Sequence, residues 1–174
     1  MEMGTVLFLL LRALHVLMAA VWIGSTVFTT MMLMPSVEGT GPAGGQVMIS
    51  MNRKGLNAYF AVLGGLTALT GIYLLWRFTG GFSPEISRSH AGMAFGVGGV
   101  CGILATILGG AVVGRAAKNT VDAMAKAGPM PDGAEKRALL ETARGLQQRM
   151  KSWGTIVLVL QLVALLLMSV GHYI

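Results

Sequence analysis

The sequence predicts an all-α fold, a four-helix transmembrane bundle, and three observations carry that prediction. Hydrophobic residues make up 54% of the 174 residues and charged residues only 11%, against roughly 25% charged in a soluble domain. The mean hydropathy is +0.69. Four separate apolar stretches reach the length of about 20 residues that a spanning helix needs. This composition excludes a disordered chain, a collagen and a disulfide-stapled domain. It also leaves too few charges to cover a soluble globule. One transmembrane domain, 1–174, is expected.

The first span covers about 5–34 and is closed by Pro35, and the second covers about 56–76. The third covers about 84–114, because Ser83-Pro84-Glu85 reads as a helix start: serine at the cap, proline in the first turn, an acid at the positive dipole end. The fourth covers about 153–174. The first span is expected to be retained rather than cleaved, since its leading residues are acidic and no small-x-small site ends it. Between spans three and four lies a helical segment, about 115–151, broken at Gly128-Pro129-Met130-Pro131-Asp132-Gly133. Asp132 and Glu135 suggest a capping box there. Leu139, Ala143, Leu146 and Met150 then recur at helical spacing, giving an amphipathic helix that leads into span four.

Charge sets the expected orientation. Arg53 and Lys54 lie between spans one and two, and Arg115, Lys118, Lys126, Lys136, Arg137, Arg144, Arg149 and Lys151 between spans three and four. The opposite side carries only Arg77 and Arg88. The positive-inside rule makes the basic side cytoplasmic. Both termini then face the outer (periplasmic) side of a bacterial inner, or plasma, membrane. The net charge of +6 is read as affinity for anionic lipid head groups of the bilayer rather than for nucleic acid.

Ionisable and polar residues inside a span are costly and mark function. Arg12, His15, Ala19, Trp22 and Thr26 follow steps of three and four and share one face of span one. His15 lies roughly 15 Å deep at about 1.5 Å per residue, so its ring must have a partner: a hydrogen bond, a metal or a cofactor. The other histidines are His90 and His172, and the topology puts all three in the outer half. They form a candidate metal constellation, since neutral imidazole is the commonest metal ligand. Gly92, Gly96 and Gly99 share one face of span three, as do Gly102, Thr106, Gly109 and Gly110, which suits either a flat cofactor or close helix packing. The 13 methionines, among them Met31, Met32, Met34, Met48 and Met51, offer soft sulfur for Cu(I) or plain apolar filling. Cys101 alone can make neither an internal disulfide nor a cysteine zinc site. Apart from Glu85 in the first turn of span three, no Asp or Glu lies within a span, which argues against carboxylate-based proton or cation transport.

The pattern Leu14-His15 followed by Trp22-Ile23-Gly24, with Pro35 at the exit, resembles the first helix of the CopD-like membrane proteins and of the related HemJ-type protoporphyrinogen oxidases. Leu69-Thr70-Gly71-Ile72-Tyr73 is similar to a segment of the CopD-like group, and Leu167-Met168-Ser169-Val170-Gly171-His172-Tyr173 resembles the ending of small relatives in which arginine stands where His172 does. The CopD-like resemblance implies copper uptake or resistance. The HemJ-type resemblance implies a four-helix protein that binds haem b through His15. Its further basic and aromatic motifs are not matched.

The leading expectation is therefore a b-type haem protein with an electron-transfer role, a membrane oxidoreductase in that sense. His15 and His90 would be axial ligands, Arg12 would pair with a propionate, and Trp22 would pack the pocket. A quinone or a redox protein would be the partner, and a homodimer is compatible. The alternatives are a copper-handling protein using His15, His90, His172 and the methionines, and a non-catalytic assembly subunit docking through its basic cytoplasmic segment.

Overall fold

The computed structural model describes residues 3–173 and is helical throughout, with no strand among them. Six helices follow in order: α1 (Met3–Gly39), α2 (Pro42–Arg53), α3 (Leu56–Phe78), α4 (Pro84–Ser87), α5 (His90–Ala127) and α6 (Ala134–Val170). Of these, α1, α3, α5 and α6 are long and apolar enough to cross a membrane. The bundle's outer surface carries leucines such as Leu10, Leu69 and Leu166, each more than 60% exposed. An apolar exterior of that kind is what a lipid-facing bundle requires.

Three helices outrun the hydrocarbon. At 37, 38 and 37 residues, α1, α5 and α6 are each about 55 Å long at 1.5 Å per residue, while the bilayer core is about 30 Å thick. The segment at 134–150, expected as an amphipathic helix before span four, is thus the first half of one continuous α6. Its cap differs from the expected box. Gly133 is the N-cap and no side chain bonds there. Asp132 instead accepts a hydrogen bond from Lys136 Nζ at 2.9 Å, which holds its carboxyl below the ordinary carboxylate range.

Pro35 does not close the first span. A π turn over Thr29–Leu33 precedes it, and the Met34 N–H donates to the Thr29 carbonyl, five residues back. The wider turn takes up the misfit that a proline with no N–H imposes on an α ladder, and the helix runs on to Gly39. A second π turn, Gly109–Gly114, lets α5 continue past the expected end at residue 114. The third span starts later than expected. Pro84–Ser87 is a single detached turn, and α5 begins at His90, where Ser89 Oγ accepts the Gly92 N–H at 3.1 Å. The end of span four at residue 174 lies outside the described residues; α6 itself stops at Val170.

Neighbours in sequence are neighbours in space. α1 packs on α3, α3 on α5 and α5 on α6, while α1 and α6 close the ring more loosely. The α1–α3 seam depends on two glycines. A methyl at Gly64 would sit 3.1 Å from Trp22 Cζ2, and one at Gly71 would sit 2.9 Å from His15 Cε1. Two large rings, seven residues apart on α1, rest over two glycines, seven residues apart on α3. The Trp22 level is the packed centre, with Leu63, Ala105 and Val157 buried around it. Away from the termini, the extended ends of α5 and α6 pack on each other with α2 alongside. Lys151 reaches Glu38 at 3.4 Å across this end.

Gly64→Ala should therefore lower stability by about 1–3 kcal/mol through overpacking. Gly65→Ala, which meets nothing within 4 Å, should change it little. Thermal unfolding of the two variants in detergent checks the contrast.

Candidate functional site: a histidine-lined cavity between the four long helices

A cavity of about 300 Å³ opens between α1, α3, α5 and α6 at the end that carries both termini. From α1 it is lined by Arg12, His15, Ala19 and Trp22, the face that the sequence spacing picked out. Thr26, the last member of that stripe, is buried below it and donates to the Trp22 carbonyl at 2.9 Å. Gly96, Gly99 and Gly102 of α5 line it beside Phe95, Val100 and Ile103. Thr67 and Gly71 of α3, Gln161 and Met168 of α6, and His172 just past the end of α6 are also in the lining.

His15 is held by α3. Its Nδ1 lies 3.0 Å from the Thr67 carbonyl oxygen and 3.0 Å from Thr70 Oγ1. The Thr70 hydroxyl spends its proton on backbone oxygens, Leu66 O at 2.7 Å or Thr67 O at 3.1 Å. Both neighbours of Nδ1 are therefore acceptors, so Nδ1 carries the proton and Nε2 keeps its lone pair. A ring N–H fixed on a backbone carbonyl is the usual support of a metal-ligating histidine. It orients the ring and leaves the other nitrogen as donor to a metal.

At the mouth, Arg12 Nη2–H donates to His172 Nε2 at 3.0 Å, tying the start of α1 to the end of α6. The His172 ring stands edge-on to Phe95, with centroids 5.1 Å apart. The floor is different. Gln161 is 1% exposed, and neither of its amide atoms has a partner among the described residues; the Thr67 hydroxyl is also buried and unpaired. An unpaired buried amide costs about 1–3 kcal/mol by protein mutational measures. Two such residues line one cavity and offer hydrogen bonds to whatever fills it.

Arg12, His15, Trp22 and His172 thus meet at one cavity, and His90 does not. With α5 starting at His90 rather than near Pro84, this residue is exposed in the first turn and lies outside the lining. His15 and His90, the expected ligand pair, do not line a common cavity. Nor do the three histidines converge: no group of three His, Cys, Asp or Glu side chains suited to a metal occurs among the described residues. Of the methionines, Met31 and Met32 are exposed and Met48 is buried. Sequence reasoning passed over Gln161, Thr67, Thr70 and Met168. Gln161 carried a visible signal, being a lone amide within an apolar run; Met168 looked like any filler methionine.

Comparison with known protein families, curated proteins and solved structures finds no match, so the site rests on its own geometry. Replacing the unpaired amide by an apolar side chain, Gln161→Leu, should stabilise the ligand-free protein by about 1–3 kcal/mol. Denaturation of the two proteins, freed of cofactor, reads this directly.

Proposed function

We propose that the chain is a multi-pass protein of the bacterial inner membrane that binds a b-type haem in this cavity and serves in electron transfer. One observation carries the reading: His15 is held with Nδ1–H on the Thr67 carbonyl and with its Nε2 lone pair uncommitted. The rest of the lining is compatible. The glycine wall of α5 suits a flat ring, the exposed Arg12 guanidinium at the mouth suits a carboxylate fork, and Trp22 floors the apolar interior. The CopD-like and HemJ-type resemblance of the first span points the same way, to His15.

When bound, haem supplies one-electron exchange between ferrous and ferric iron. The chain's own work is to ligate through His15, to pair an acidic edge with Arg12, and to keep water from the apolar walls. A lipid-borne quinone or a redox protein is the proposed exchange partner. The basic residues Arg53, Lys54, Arg115 and Lys118 belong to the end remote from the cavity, which supports a cytoplasmic location for that end and outward-facing termini. His90 has no part in this reading.

An optical spectrum of the detergent-purified protein, before and after dithionite and with metal analysis on the same sample, tests it. A Soret band that shifts on reduction, with one iron per chain or per dimer, is the expected result, and His15→Ala should lose at least nine-tenths of the haem. Copper without haem would favour the copper-handling alternative. A colourless protein that co-purifies with a stoichiometric partner would favour the assembly-subunit alternative. Orientation is tested separately: in a Cys101→Ser background, a cysteine replacing Ile86 should react with an impermeant maleimide in whole cells, and one replacing Lys118 should not.

A further inference from the structure

We infer that the thioether sulfur of Met168 is the second donor to the metal, across the cavity from His15. The inference rests on the reading that His15 ligates haem iron, and it replaces His90 in the expected ligand pair.

The register of the helices carries it. The bond between Arg12 and His172, at 3.0 Å, fixes α1 against α6 at the mouth. His15 is one turn inward from Arg12 on α1, and Met168, in the last turn of the antiparallel α6, comes four residues before His172, which lies just past that helix. The two residues therefore stand at the same depth on opposing walls, and both line the cavity. The path through the other two helices gives the same level. Gly64 of α3, beneath Trp22, accepts Thr106 Oγ1–H of α5 on its carbonyl at 3.4 Å; seven residues toward the mouth on each helix are Gly71, beneath His15, and Gly99; and a methyl at the adjacent Gly98 would sit 3.3 Å from Met168 Cγ. α1 and α6 also form the loosest seam of the bundle, which leaves room between these two walls for a flat molecule.

The competing donors are committed or absent. His172 Nε2 accepts a hydrogen bond from Arg12 Nη2–H. His90 and Cys101 do not line the cavity, and Met168 is the one sulfur among the described residues that does. A thioether is neutral and soft, and a methionine in place of a second imidazole raises the reduction potential of a haem. The same pair of donors would also suit Cu(I), so the assay must see the iron.

The test is the absorption spectrum and potentiometric titration of the haem-loaded full chain, wild type against Met168→Leu and Met168→His. The expected wild-type signature is a weak far-red sulfur-to-ferric charge-transfer band. In Met168→Leu that band should vanish while at least half of the haem stays bound through His15. In Met168→His the midpoint potential should fall and the spectrum should become that of a two-histidine haem. If both variants keep the wild-type spectrum and potential, Met168 is not a ligand, although the haem reading survives. If the wild-type chain takes up no haem at all, the haem reading fails, and the ligand pair with it.

Discussion

The arrangement depends on how closely α1 and α3 approach. Trp22 and His15 repeat at seven residues on one helix, Gly64 and Gly71 at seven on the other, and the helices run antiparallel. Each ring lies over a glycine, so the backbones come near enough for the His15 ring to reach the Thr67 carbonyl. Lipid gives no hydrophobic push between helices, and close packing over small residues substitutes for it. One seam therefore holds the bundle and fixes the imidazole. The Trp22 level below is packed solid; the His15 level above is hollow.

Much of this was legible in the residues. The four long helices followed from apolar length, and the stripe Arg12–His15–Ala19–Trp22 followed from steps of three and four. Both rest on short-range periodicity, which a single sequence records directly. The failures share a cause as well. Pro35 reads as a stop because an α ladder cannot pass it, but a π turn can take up the misfit, and nothing in Thr29–Leu33 announces one. The Ser83-Pro84-Glu85 start was real and too short: it made a single turn, and the main helix waited for the Ser89 cap. That shift of one cap moved His90 from an expected ligand to an exposed first-turn residue. Which residues oppose each other across a cavity is set by four helices at once, and no pairwise spacing encodes it.

The cavity's polar floor and its mouth impose different requirements on an occupant. At the mouth, a fixed positive charge is already satisfied in part by a neutral histidine, so an anionic group arriving there competes with a single hydrogen bond. At the floor, Gln161 and Thr67 have nothing to give up. Their polar atoms are neutral, and the walls between are apolar. An occupant matched to the whole cavity is therefore amphiphilic along its length, charged at one edge and, at the other, neutral but able to hydrogen-bond.

The π turns carry a consequence for how such a chain can change. Each accommodates one residue more than an α turn spanning the same rise. Losing one residue from Gly109–Gly114 would let α5 wind as a plain α-helix through that stretch while leaving the faces on either side in phase. At Thr29–Leu33 the same loss would return the misfit of Pro35 to the α ladder. Elsewhere in either helix a single-residue deletion would rotate everything beyond it by about 100° at 3.6 residues per turn and turn the packed face toward lipid. Gly109–Gly114 is thus the place where a long helix can lose a residue without disturbing the cavity.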